Sequence, residues 1–248
     1  MRRPRVVLSR PPDRDGAVRL DPQTIHHLTT VLRLRPGACV VGLDPDGGLW
    51  ELELDWAHGG GDCARVRAAL PSPPSSRVSV TLAIAVPKGG RMDWLVEKAV
   101  ELGVAAIQPL EAERSAPGRA ASEARLERWA RLCRAAAAQC GRAQVPAVRA
   151  AQPLEEALRE FAGPCLLADT VAPAGSVTAV AKAALPAPRL LLAVGPEGGW
   201  TPRERDGALA AGAQPVGLGP RILRVETAAL AALVLVTAAL GGMDGAPA

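Results

Sequence analysis

The chain has 248 residues, of which 48% are hydrophobic and 22% charged, a composition that fits a folded globular protein and excludes a disordered one. Its net charge is +4, and arginine supplies nearly all of the 29 basic residues. The longest apolar run, Ala228 to Leu240, is shorter than the ~20 residues a bilayer span needs, and Met1-Arg2-Arg3-Pro4-Arg5 lacks the apolar stretch of a signal peptide. Five cysteines, at 39, 63, 133, 140 and 165, form no CxxC pair. That spacing predicts free thiols in a reducing cytoplasm, with no metal site and no disulfide framework.

Residues 1–72 read as a small, mostly β domain. Short strand-like runs lie at Arg5–Leu8, Val18–Leu20, Cys39–Leu43, Leu49–Trp56 and Ala64–Leu70, and Asp44-Pro45-Asp46-Gly47-Gly48 is a hairpin turn signal. One helix is predicted over Thr24 to Leu34, with Asp21 as N-cap and Pro22 at the first helical position. Several short strands with one helix suggest a small barrel. Pro71 to Ser76 reads as a linker.

Residues 73–248 read as a second domain of alternating strands and helices. Strands are predicted at Val78–Val86, Ala105–Leu110, Cys165–Asp169, Leu190–Val194 and Pro215–Leu218. Helices are predicted at Arg91–Leu102, Ser122–Cys140, Pro153–Phe161, Val177–Leu185 and Thr201–Ala211, the last opened by the capping box Thr201-Pro202-Arg203-Glu204. In the helix from Arg91, the residues Trp94, Leu95, Lys98 and Leu102 share one stripe. A final apolar helix ends near Leu240. This order predicts an α/β fold with a parallel sheet covered by helices. The last helix is apolar nearly all round, so most of its faces need cover, which points to a homodimer.

Two glycine-rich turns stand out: Gly195-Pro196-Glu197-Gly198-Gly199 and Gly217-Leu218-Gly219-Pro220-Arg221. Each follows an apolar strand and precedes a helix, where backbone N–H and C=O groups stay open to a ligand. Neither is a dinucleotide fingerprint nor a P-loop, since GxGxxG and GK[ST] are both missing. Thr201 already caps the following helix, which leaves Glu197 for another role. Charge is concentrated between Glu111 and Ala150, where eight arginines face four glutamates. That excess fits phosphate contact, or a solvated helix laced with Glu–Arg pairs.

Ala193 to Trp200 together with Leu218 to Ala228 resembles the cofactor-binding signature of the bacterial 16S ribosomal RNA (uracil-N3)-methyltransferases, members of the knotted SPOUT superfamily. Pro87 to Val104, Glu113-Arg114-Ser115 and Gln139-Cys140-Gly141-Arg142 with Val145-Pro146 resemble further motifs of that family. Pro4-Arg5, His26-His27-Leu28, Val31-Leu32-Arg33 and Pro36-Gly37 resemble its PUA-like RNA-binding domain. Three positions depart from the pattern: Val225 stands for a usual Thr, Ala138 for a frequent acidic residue, and Val6-Val7 for an aromatic pair.

The resemblance implies a SPOUT domain with a deep trefoil knot, formed by the strands at 165–169, 190–194 and 215–218, after a PUA-like β-barrel. It implies S-adenosylmethionine as cofactor, held by Leu167, Val194, Gly195, Pro196, Glu197, Gly198, Gly199, Leu218, Gly219, Arg221, Ile222, Leu223 and Thr227. Uracil N3 must lose a proton before it attacks the methyl group. Arg224 is the candidate to stabilise the resulting anion, Glu197 or Glu226 to take the proton, and Arg114 a further catalytic candidate. RNA contact is expected at Arg3, Arg5, His27, Arg33, Lys88, Arg91, Arg125, Arg128, Arg134 and Arg142. The expected partners are 16S rRNA of the small subunit and a second copy of the chain, with no membrane. Alternatives are another RNA target, such as a tRNA base or a ribose 2′-hydroxyl, and a non-catalytic ribosome-assembly factor.

Overall fold

The computed structural model describes residues 3–55, 64–71, 78–115, 121–171, 175–185 and 187–243. Apart from Pro71, the predicted linker lies outside the described residues, as do Cys63 and Arg119. The chain divides into two compact units. The first comprises 1–74 with 134–145, and the second 75–133 with 146–248.

The first unit holds strands β1 (Arg5–Val7), β2 (Ala17–Val18), β3 (Cys39–Leu43), β4 (Leu49–Leu54) and β5 (Ala64–Leu70), with a short helix α1 (Pro22–His26). They form one five-stranded sheet in the order β1-β3-β4-β5-β2. The β1–β3 pair is parallel and the other pairs are antiparallel. The alternation of Val40, Leu52 and Leu54 turns one face inward onto Leu28, and Leu28, Val40 and Leu52 are wholly buried. The β3–β4 hairpin is organised by Asp44. Its carboxylate accepts from the backbone N–H of Asp46 at 2.9 Å and Gly48 at 2.8 Å, and from the Trp50 indole at 2.7 Å. Gly47 takes a φ of 85° to close that turn.

The predicted helix over Thr24 to Leu34 is shorter than expected. After α1 the backbone widens into a π turn at His27–Val31, where Leu32 N–H donates to His27 C=O at 2.9 Å. Thr29 explains part of this, because its hydroxyl donates to the Ile25 carbonyl at 2.9 Å and competes with the helical ladder. Arg33 then adopts a φ of 53°, and Leu34 N–H reaches back to the Leu28 carbonyl at 2.9 Å. This is a left-handed helix stop of the kind glycine usually provides.

The second unit runs β6 (Ser79–Ala85), α2 (Arg91–Glu101), β7 (Ala106–Glu111), α3 (Glu123–Cys140), β8 (Ala147–Val148), β9 (Gln152–Pro153), α4 (Leu154–Glu160), β10 (Cys165–Ala168), β11 (Gly175–Ser176), α5 (Val177–Ala183), β12 (Arg189–Val194), α6 (Pro202–Ala210), β13 (Gln214–Gly217) and α7 (Val225–Ala239). The division between the units passes through α3, after Cys133. The sheet order is β11-β13-β10-β12-β6-β7-β8, with β9 also on β7. Every pairing in it is parallel. β10 lies between β12 and β13. The chain therefore returns on one flank of β10 and then crosses to the other. The central strands read as continuous apolar runs because helices cover both faces, and Leu82, Ile84, Leu167, Leu190 and Leu192 are fully buried. The result is the expected mixed α/β fold, a parallel sheet unit with a separate smaller sheet.

Helix α2 departs from its expected stripe. It buries Met92, Leu95, Val96, Ala99 and Val100, whereas Trp94 is 51% exposed. The buried face follows the aliphatic residues spaced three and four apart, and Trp94 falls outside that arc. The two-residue strands β8, β9 and β11 have no counterpart in the sequence pattern, being too short to show periodicity.

Candidate functional site

The exits of β10, β12 and β13 open into one cavity of about 470 Å³. Ala168, Asp169 and Thr170 come from the first exit, and Val194, Gly195, Pro196, Gly199 and Trp200 from the second. Val216 to Leu223 follow from the third, with Val225 and Ala228 from the start of α7. The size suits a small-molecule ligand. Its walls are mostly backbone, glycine and apolar side chains. Gly199 and Gly219 have φ of 68° and 97°, and a Cβ on either would point into open space. Both loops therefore present bare backbone N–H and C=O groups to a ligand.

Trp200 makes the firm wall. It is 2% exposed, and its indole N–H donates to the Ala168 carbonyl at 2.9 Å, joining the β12 exit to the β10 exit. Its ring lies directly on Gly195, where a Cβ would come within 2.9 Å of it. Asp169 organises the β10 exit. Its Oδ1 accepts from the backbone N–H of Thr170 at 2.7 Å and of Val171 at 3.1 Å, and its carboxylate pairs with the Arg205 guanidinium of α6. Burial works against this charge, but the Arg205 hydrogen bond and the two backbone donors outweigh it and hold the carboxyl below the usual aspartate range.

A second group of residues braces the β12 exit from the side of β6 and β7. Glu197 Oε1 accepts from the Lys88 backbone N–H at 2.9 Å. The Arg114 guanidinium donates to the carbonyls of Gly198 at 3.0 Å and Trp200 at 3.3 Å. Glu204 closes the predicted capping box with Thr201 and also accepts from the Glu113 backbone N–H at 2.9 Å. At the first turn of α7, Glu226 is 9% exposed, with Oε1 3.5 Å from Arg91 Nε. Its Oε2 is buried and has no hydrogen-bond partner. Arg224 is exposed, and among the described residues its side chain has neither an ion pair nor a hydrogen bond.

Of the residues expected to hold the cofactor, Val194, Gly195, Pro196, Gly199, Leu218, Gly219, Arg221, Ile222 and Leu223 line the cavity together. Leu167 is wholly buried in the sheet, one residue before the lining begins. Glu197, Gly198 and Thr227 lie beside the lining. Of these, Gly198 packs on Arg114, whose Cβ would be 3.0 Å from a Cβ added there. Sequence reasoning passed over Asp169, Thr170, Arg205 and Val216, whereas Pro220 lies in the glycine-rich turn already singled out. A polar residue closing an apolar strand run, as Asp169 closes Cys165–Ala168, was the available signal.

The residues expected at RNA divide between the units. In the first, Arg3 pairs with Glu51 at 2.6 Å, and Arg5 lies against Gly141 with Nη1 buried and unbonded. His27, Arg33 and Arg134 are exposed, and Arg142 is half-buried. In the second, Lys88 and Arg91 flank the start of α2. Arg125 stacks 5.2 Å over the Trp129 ring, and Arg128 pairs at 2.6 Å with Asp93, which also accepts from the Trp129 indole at 3.0 Å. Among the described residues, no three His, Cys, Asp or Glu side chains gather as a metal site, and no helix is long and apolar enough to cross a membrane.

Residues 74–237 match the family of the RNA methyltransferase domain. The chain is 39% identical over 231 residues to a ribosomal RNA small subunit methyltransferase E of Synechocystis sp., covering 91% of this chain and 74% of that protein. It is 31% identical over 221 residues to the protein of the same name from Bacillus subtilis, covering 85% and 86%. Its fold is similar to the crystal structure of a ribosomal RNA small subunit methyltransferase E from Neisseria gonorrhoeae bound to S-adenosyl methionine. That similarity has a TM-score of 0.83 at 34% identity and covers 95% of this chain and 97% of that one.

Proposed function

We propose, since this chain belongs to the RNA methyltransferase family, that it methylates N3 of a uridine in 16S rRNA of the small ribosomal subunit, using S-adenosylmethionine. The observation that carries this reading is the cavity at the β10, β12 and β13 exits, built largely from the two glycine-rich turns of the signature. Gly195, Gly199, Leu218, Gly219 and Leu223 would hold the methyl donor there through their backbone groups. S-adenosylmethionine supplies an electrophilic methyl group on a sulfonium.

The protein's own task is to bring uracil to that methyl group and favour the loss of its N3 proton. Arg224 is exposed, lies one residue from cavity-lining Val225, and carries a permanent charge in a planar fork. We assign it to the uracil oxygens, where negative charge grows as N3 is deprotonated. Glu226, whose Oε2 lacks a partner, is assigned as acceptor of that proton. Glu197 and Arg114 already hold backbone groups, so their part is to keep the β12 exit in shape.

The first unit, with its PUA-like sheet, is assigned to RNA binding together with exposed Arg33 and Arg134. α7 leaves the apolar residues Leu235 and Ala238 exposed, which supports a homodimer. Its place of action would be the cytoplasm, with the ribosome. Mass mapping of 16S rRNA from a deletion strain tests the target. Loss of one methyl group at a uridine, restored by the wild-type chain, is expected. An unchanged 16S map with a missing tRNA methyl group would move the reading to another RNA. Light scattering that gives a monomer mass at micromolar concentration would remove the dimer.

A further inference from the structure

We infer that Arg205, which is not part of the cavity lining, is a positioning residue for the methyl donor: through Asp169 it fixes the wall that the β10 exit presents to the cavity. The inference rests on the reading that this cavity holds S-adenosylmethionine.

The β10 exit has little to hold it apart from polar contacts. Thr170 is exposed and Val171 is 71% exposed, so these two residues bury little apolar surface. The strand end itself is tied by Trp200 at the Ala168 carbonyl and by the Asp169 N–H on the Val216 carbonyl at 3.1 Å; past it, one carboxylate holds the Thr170 and Val171 peptides. Asp169, with a side chain only 3% exposed, receives the N–H groups of Thr170 and Val171 on one oxygen, fixing two successive peptide planes. A buried carboxylate needs a cationic partner to remain in place. Arg205 is that partner, its own side chain 15% exposed, with Nε on Oδ2 and Nη2 3.5 Å from Oδ1.

Arg205 is itself delivered from a fixed point. It sits in the first turns of α6, which begins at the Thr201–Glu204 capping box and is tied through Glu204 to the Glu113 backbone. A path of direct contacts therefore runs from the α6 terminus through Arg205 and Asp169 to the cavity wall. Without the guanidinium, the Asp169 carboxylate would turn to water or take up a proton. Either change weakens its hold on the Thr170 and Val171 N–H groups, and the wall would occupy its binding shape only part of the time. A wall that is competent one-tenth of the time raises the apparent dissociation constant about tenfold.

The test is calorimetric titration of the purified full chain with S-adenosylmethionine, beside single-turnover methylation of 16S rRNA at saturating donor. Arg205→Ala should raise the donor's dissociation constant about tenfold or more while leaving the saturated rate near wild type. Arg205→Lys should recover part of the affinity, since a point charge cannot reproduce the two-pronged contact. Asp169→Ala should cost at least as much as Arg205→Ala, and the double variant no more than Asp169→Ala alone, because the two act in series. Arg205→Ala with wild-type affinity overturns the inference, as does a fall in saturated rate at unchanged affinity. If Arg205→Ala does not fold, Arg205→Lys decides: an intermediate affinity supports the role and wild-type affinity removes it. A wild-type chain that fails to bind S-adenosylmethionine overturns the functional reading itself, whereas a binding wild type with an equally binding Arg205→Ala overturns this inference alone.

Discussion

Replacing Gly195 with Ala tests whether the Trp200 wall is as fixed as its contacts imply. The new Cβ would lie 2.9 Å, 3.1 Å and 3.2 Å from three atoms of the indole ring. The ring has little freedom to yield, because it is 2% exposed and its N–H is bound to the Ala168 carbonyl at 2.9 Å. Overpacking of this kind costs about 1–3 kcal/mol. For a chain of this size each kcal/mol moves the melting temperature by about 2–4 °C, so a drop of roughly 2–12 °C is expected. Any ring movement also displaces the Ala168 carbonyl, so S-adenosylmethionine affinity should fall with it. Scanning calorimetry and ligand titration measure the two effects. Gly207→Ala is the matched control. It lies inside α6 with nothing within 4 Å of the added Cβ, and it should be neutral or raise stability by up to ~1 kcal/mol. If Gly195→Ala melts and binds like wild type, the ring is mobile and the argument from its contacts is wrong.

Arg224→Ala should slow single-turnover methylation by about 10²–10³ with donor affinity kept, and high pH should restore part of the rate as solvent removes the N3 proton; a near-normal rate would make Arg224 structural. The ion pair of Asp169 stabilises the fold above the carboxyl's unfolded pKa of about 3.9, and that contribution disappears as pH falls through the lowered native value. Asp169→Asn should therefore melt lower at neutral pH but show a flatter decline below about pH 4; parallel melting curves against pH would contradict this. Burial pushes the Cys165 thiol up to about 11, so a thiol reagent at neutral pH should label half-buried Cys39 and Cys140 well before Cys165, as read by peptide mass spectrometry. Replacing Arg125, Arg128 and Arg134 with Ala should weaken RNA binding and reduce its salt dependence; because Arg125 and Arg128 also hold Trp129 and Asp93, Arg134→Ala alone is the cleaner variant, and an unaltered salt slope would return α3 to a solvated face.

Strand and helix runs in the second unit were legible because buried parallel strands read as apolar runs and because one helix start, that of α6, carries a side-chain cap. Thr201-Pro202-Arg203-Glu204 is the clearest case, since its residues specify the helix start through contacts only three residues apart. The glycine turns were legible for the same reason: Gly199 and Gly219 take positive φ, a local demand written in the residue itself. What escaped was set by contacts distant in sequence. Asp169 meets Arg205 across 36 positions, and Glu197 meets the Lys88 backbone across 109. No local pattern encodes either. The π turn at His27–Val31 escaped because helical periodicity outweighed the less conspicuous cue of Thr29, whose hydroxyl competes for the Ile25 carbonyl. Trp94 was placed on one stripe with Leu95, whereas its angular position on α2 falls outside the buried aliphatic arc.

The position of β10 between β12 and β13 also bears on when this protein becomes competent during its synthesis. The ribosome completes β10 first and supplies β12 some twenty residues later, but the opposite flank of β10 remains unpaired until Gln214–Gly217 have emerged. The cavity then still lacks Leu218 to Leu223 and the first turn of α7. A nascent chain therefore carries an open strand edge from the completion of β10 at Ala168 until β13 begins at Gln214, an exposure that favours wrong pairing. It acquires its small-molecule pocket nearly last. Chains arrested or cleaved before α7 should be both inert toward the methyl donor and prone to aggregate, so premature fragments would be cleared rather than compete for RNA.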